Sequence, residues 1–105
     1  MSRIKLREIA HSRAGDKGNT VNISLIVYNP QDYDLIRNQV TAERVADWFK
    51  GLVTGKVIRF ELPNLGALNF VLYEALAGGV TISLRLDPHG KSLSSAILEM
   101  EIDID

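Results

Sequence analysis

Ile4 to Ile9, Val21 to Val27, Lys56 to Leu62 and Val80 to Leu86 each place apolar side chains at about every second residue. That period belongs to strands with one face in a core and the other in water. The chain must therefore build a sheet and cover one side of it, and the cover has to come from the stretches between. Asn29-Pro30 predicts a helix start, since the Asn side chain can accept from free N–H groups and Pro is tolerated at the first helical position. Tyr33, Ile36 and Val40 follow at helical spacing, with Asp32 in the favourable first turn. Thr41 predicts a second cap, for a helix over 42–50 whose stripe Val45, Trp48, Phe49 and Leu52 faces the core and which Gly51 closes.

The segment LPNLGALNFVLYEALAGG, residues 62–79, carries a single charge, Glu74. Asn64 predicts a cap for a helix running to about Ala77 and ended by Gly78-Gly79. Leu65, Leu68, Leu72 and Leu76 would line one side of it, with Phe70, Val71 and Tyr73 around the others, an arrangement that favours a partner surface. Asp87-Pro88-His89-Gly90 has turn chemistry. Residues 92–104 fit a helix through Leu93, Ala96, Ile97 and Met100, or a strand through Ala96, Leu98, Met100, Ile102 and Ile104; the short preceding turn favours the strand. The order β-β-α-α-β-α-β-β, joined mostly by hairpins, predicts one α+β domain over residues 1–105. Its nearest standard form is a ferredoxin-like α/β sandwich or a permuted relative, with helices on one face of a mainly antiparallel sheet.

Twelve Lys and Arg against thirteen Asp and Glu leave a formal charge of −1, so no basic field argues for nucleic acid or an anionic membrane. Any attraction for an anion has to be local. With no cysteine there is no disulfide, thiolate zinc site or thiol nucleophile. Neither a signal-peptide block nor the roughly 20 apolar residues of a membrane-spanning helix is present. The expectation is a cytoplasmic protein without membrane contact.

The connection from His11 to Asn22 is longer than a hairpin needs. Gly15 and Gly18 can take positive φ, so backbone N–H groups of Gly15 to Asn19 could form an anion-binding concavity, with Arg13 and Lys17 adding a fork donor and a point charge. The plainer alternative is an elaborate turn with solvated charges. GDKGN lacks phosphate-loop spacing and precedes a strand. Asp16 would brace the connection, while Asn22, Asn64 and Asn69 would position a ligand or satisfy nearby backbone as buried amides. His11 and Asp16 could also form an acid–base pair, against the commoner role of a histidine that only hydrogen-bonds at a strand end. His89, with Asp87 and Lys91, lacks metal-ligand spacing, so neither a metal nor another cofactor is expected.

Three separated motifs carry a family likeness: HSRAGDKGNTVNI from His11, LPNLGALNFVL from Leu62 and GGVTISLRLDPHGKSL from Gly78. In that order they resemble the C-terminal ferredoxin-fold domain of the acyclic terpene utilisation protein family, over about Ile9 to Met100. The resemblance implies the fold and a setting, bacterial catabolism of branched, terpenoid acids handled as CoA thioesters. It implies no particular reaction, and the large N-terminal domain of full-length members has no counterpart here. Three readings follow. The first is an accessory domain that binds an anionic ligand, such as acyl-CoA or phosphate, or a partner subunit at the His11–Asn22 connection. The second is an assembly module, forming a homo-oligomer or docking on a larger enzyme subunit through the apolar 65–77 helix and an open sheet edge. The third is a small enzyme using His11 and Asp16.

Overall fold

Two strands at the centre of the molecule carry the alternation most cleanly. Val21, Ile23, Leu25 and Val27 of β3 (Thr20–Val27) and Leu68, Phe70 and Leu72 of β5 (Ala67–Leu72) all point into the core. The two pair antiparallel, with Val21 opposite Leu72, Ile23 opposite Phe70 and Leu25 opposite Leu68. Each of these side chains contributes about 1.5–3 kcal/mol by leaving water. The computed structural model describes residues 2–17, 20–50, 53, 55–74 and 92–104. The expected strand over 80–86, the turn 87–90 and the glycine stops at 51 and 78–79 lie outside the described residues.

β2 (Ala10–Lys17) flanks β3 and β4 (Val57–Leu62) flanks β5, giving the order β2-β3-β5-β4. Between β3 and β4 the chain crosses over through α1 (Tyr33–Gln39) and α2 (Ala42–Trp48). β3 and β4 are parallel to each other with β5 inserted between them, the split β-α-β arrangement of ferredoxin-like folds. The helix starts are as the capping residues predict: the Asn29 side chain accepts from Gln31 N–H at 3.0 Å and the Thr41 hydroxyl from Arg44 N–H at 3.1 Å. A third helix, α3 (Ser92–Ile97), packs over β2, whose core-facing positions Ala10, Ser12 and Ala14 are small enough to admit it. Tyr33, Ile36, Val40, Val45, Phe49, Leu93 and Ile97 join the strands in one apolar cluster, so the helices cover a single face of the sheet.

Four expectations need correction. The His11–Asn22 connection is not a loop: β2 and β3 run in register from Ala10 opposite Val27 to Lys17 opposite Thr20. Only residues 18 and 19 link them, and Gly-Asn is itself a two-residue hairpin signature. Second, no helix occupies 64–74. Pro63–Leu65 form one 3-10 turn, Gly66 ends it in the left-handed region (φ 60°), and β5 then pairs with β4. The lack of charge reflects a central strand rather than a two-sided helix. Third, residues 92–104 are a helix and then a short strand, β6 (Glu101–Asp103), which pairs with β1 (Arg3–Lys5) in a separate two-stranded sheet. Fourth, Trp48 is not core: it is 43% exposed, and its indole N–H donates to Ala96 O at 2.9 Å, tying α2 to α3.

Side chains seal the outer margin of β6. The Gln39 amide donates to Asp103 O at 2.6 Å and accepts from Asp103 N–H at 2.8 Å, while Arg44 donates to Glu101 O. At the other end of the chain's small sheet, Lys5 donates to the Glu99 carboxylate at 2.7 Å and Arg7 lies 3.4 Å from it. The Lys5 hydrogen bond, followed by the Arg7 and Lys5 charges, outweighs desolvation and holds the Glu99 carboxyl below its ordinary value.

Two outcomes follow from this packing. A Cβ on Gly55 would stand 2.5 Å from Tyr73 O, where Gly55 N–H also donates at 3.0 Å, so Gly55→Ala should destabilise by about 1–3 kcal/mol in urea unfolding. Because the folded Glu99 pKa is depressed, its stabilising contribution is complete above the unfolded carboxyl value of about 4.3 and fades as pH falls through the folded value. Urea midpoints measured down that range should fall more steeply for the native chain than for Glu99→Gln.

Candidate functional site

Among the described residues no helix packs on the other face of the sheet, and the strand registers arrange it in rows that run from Ala67, 3% exposed, to Phe60. Arg13, Ser24, Asn69 and Phe60 form the central row, Gly15, Asn22, Val71 and Ile58 the row on one side, and His11, Ile26, Ala67 and Leu62 the row on the other. With strands about 4.8 Å apart, Arg13 and Asn69 stand roughly 10 Å apart across β3. The face divides by character. Its β2 side is polar, whereas its β4 side exposes Phe60 (52%) and Leu62 (37%), with Tyr28 (65%) beside the His11 row. The His11 ring stacks on Tyr28, centroids 5.2 Å apart.

Arg13 is exposed and makes no ion pair or hydrogen bond among the described residues. Most other arginines are engaged: Arg3 with Asp103, Arg7 with Glu99, Arg37 with Asp34, Arg44 with backbone carbonyls, and Arg59 with Glu61. Asn22 is exposed and Asn69 half-buried on the same face, so neither is the buried amide the sequence suggested. Their polar groups meet solvent, and the desolvation cost does not arise.

The expected anion nest is not built from Gly15. That residue lies in an extended strand opposite Asn22, a Cβ there would meet nothing within 4 Å, and Gly66 is the described glycine with positive φ. Successive N–H groups of a strand point in opposite directions and cannot converge on one anion. Asp16 and Lys17 hold strand positions opposite Val21 and Thr20. Gly18 and Asn19 lie outside the described residues, as does His89. Asn64 sits exposed in the turn between β4 and β5, beyond the His11 row, and is not brought to Gly15 or Asn22. His11 and Asp16 occupy one strand five residues apart, about 17 Å of extended chain, so they form no acid–base pair.

What the sequence reading missed is the apolar half. Ile58, Phe60 and Leu62 were legible as one side of a strand, but only pairing with β5 rather than a helix at 64–77 puts them beside Asn69 and Val71. On the covered side of β4, Arg59 donates to Arg37 O at 2.7 Å, Val40 O at 3.0 Å and the Glu61 carboxylate at 2.7 Å. The Tyr33 hydroxyl is buried with no hydrogen-bond partner among the described residues, and burial, with the Glu61 charge adding, pushes the phenol above its ordinary value. A phenol held protonated supplies no base. Among the described residues no three His, Asp or Glu side chains gather as metal ligands, and no helix is long and apolar enough to cross a membrane.

A split β-α-β sheet with helices on one face and a half-polar, half-apolar open face defines a ferredoxin-like α+β fold. Residues 4–103 match the family model described as the AtuA ferredoxin-like domain, and the chain belongs to that family. Neither the curated proteins nor the solved structures contain a match to it.

Since Arg13 is exposed and makes no ion pair or hydrogen bond among the described residues, Arg13→Ala should change unfolding stability by no more than about 0.5 kcal/mol. A loss above about 1 kcal/mol in urea would make it a structural residue instead.

Proposed function

We propose that this chain is an accessory docking module without chemistry of its own, and that its open sheet face receives a larger enzyme subunit in the breakdown of branched, terpenoid acyl-CoA compounds. The pathway part rests on the family resemblance. The binding part rests on one observation above others, the Arg13 guanidinium, without a partner among the described residues, in a row with Ser24, Asn69 and the exposed Phe60. An acidic side chain of the partner sits on Arg13, with Asn22, Ser24 and Asn69 as neutral hydrogen-bonding neighbours and Phe60, Leu62 and Tyr28 as the apolar contact.

Shape favours a partner surface over a free acyl-CoA or phosphate. Small ligands are held in concave sites, and two grooves among the described residues touch the rows of this face only at Ile58. One of about 290 Å³ lies against Gly55, Lys56, Ile58, Tyr73 and Glu74, and one of about 410 Å³ against Arg3, Arg44, Trp48, Glu99, Glu101 and Asp103. A sheet face with a cation at one side and aromatic area at the other suits a protein surface. The two-residue hairpin and the separation of His11 from Asp16 weigh against the reading as a small enzyme.

Titration calorimetry of the chain against the large N-terminal domain of full-length family members tests this. Binding should weaken about tenfold or more in Arg13→Ala, and should weaken as salt is raised. Undiminished binding by Arg13→Ala, or none by the native chain, removes the docking face from consideration. Parallel titrations with an acyl-CoA and with inorganic phosphate separate the small-ligand version, in which those probes bind and Arg13→Ala abolishes the heat.

A further inference from the structure

We infer that β4 is the seam of a symmetric dimer, in which two copies of the chain join their sheets edge to edge through an antiparallel β4–β4 pairing centred on Phe60. This is independent of what docks on the open face.

The margin is identified by the hydrogen-bond alternation. Tyr73 N–H donates to Lys56 O at 3.0 Å, and the β4–β5 register places Ile58 opposite Val71, Phe60 opposite Asn69 and Leu62 opposite Ala67. In an antiparallel pair every second residue bonds to its neighbour. Lys56, Ile58, Phe60 and Leu62 therefore turn their backbone groups toward β5, and Val57, Arg59 and Glu61 turn theirs outward. Among the described residues no strand pairs along that outer side. The contrast with β6 is direct, because there Gln39 and Arg44 occupy the outward groups of Glu101 and Asp103. An unsealed margin is a template for another strand.

The side chains select the occupant as a second copy and fix its register. A two-fold axis at Phe60 sets Arg59 of each chain opposite Glu61 of the other, Phe60 opposite Phe60 and Ile58 opposite Leu62. Arg59 and Glu61, the residues with outward backbone groups, become the hydrogen-bonded pairs. An inward charge on an edge strand ordinarily discourages pairing, and Arg59 points to the covered side. In this register the penalty is lifted, because each Arg59 meets a carboxylate on both sides and its guanidinium has donors beyond those given to Arg37 O, Val40 O and its own Glu61. Shifting the strands by two residues sets like charges or apolar groups against Arg59, so the pattern admits this register and resists others. On the open face Phe60, 52% exposed, and Leu62, 37% exposed, would run on into their counterparts across the seam, so the apolar strip widens and still faces outward.

The chain has no cysteine, which makes the register readable by single substitutions. At the axis the two Phe60 positions form a non-hydrogen-bonded pair about 4.5 Å apart between Cα atoms, within disulfide range. The two Ile58 positions are four residues out of step, about 13 Å apart. Under mild oxidation Phe60→Cys should run as a covalent dimer on a non-reducing gel. Ile58→Cys and Leu62→Cys should each stay monomeric alone and cross-link when mixed. Far-UV circular dichroism verifies that each variant is folded, as expected for the exposed positions 60 and 62 and the half-buried position 58. Light scattering on the unmodified chain should show mass rising toward twice the monomer with concentration, and Glu61→Lys, which faces each Arg59 with a second cation, should hold it at monomer. A folded Phe60→Cys variant that remains monomeric, as it would if another part of the same chain covered the margin, overturns the proposal. So does equal self-cross-linking at 58, 60 and 62, or an unmodified chain that stays monomeric throughout.

Discussion

The apolar ladder between β3 and β5 is the constraint on which everything else hangs. Ile23 against Phe70 and Leu25 against Leu68 put four fully buried side chains in two adjacent rows. Since side chains alternate strictly, burying those rows also decides what the reverse face carries: Asn22 and Ser24 on one strand, Asn69 and Val71 on the other. A slip of one residue would send the polar set into the core. The composition of the open face is thus a by-product of core register before it is anything functional, and the helices of the crossover can lie only on the apolar side.

The two halves of the open face arise from different strands. β2, a flank of the sheet, contributes Arg13 and His11, while β4, the opposite flank, contributes Ile58, Phe60 and Leu62. Among the described residues the cation of the polar edge is unengaged, and no strand pairs along the outer side of the apolar edge.

Local chemistry was legible where it is governed by a few neighbouring atoms. Asn29 and Thr41 cap helices because a short side chain reaches an N–H two or three residues on, and no tertiary contact is needed to foresee it. The α+β class and the single covered face were likewise readable from alternation. The segment after Pro63 was not, because Leu65, Leu68 and Leu72 satisfy a helical period while Leu68, Phe70 and Leu72 satisfy a strand period, and only the left-handed Gly66 separates the two. In the first hairpin, charges and glycines on an exposed face look like a loop until the register is known. Candidate residues were therefore located along the chain better than in space: Arg13, Asn22 and Asn69 do share a face, while Asn64 and the His11–Asp16 pair do not form a unit with them.

Arg59 acts as a strut. Its guanidinium fastens the final carbonyls of α1 to the flank of the sheet, through Arg37 O and Val40 O, and steadies itself on Glu61. A flank strand is normally the most compliant part of a sheet, free to fray outward. Here fraying would strand a guanidinium away from two helix-terminal acceptors, so the border is stiffened from inside and meets an incoming surface with its shape already set, saving the ordering entropy that a loose border would lose on contact.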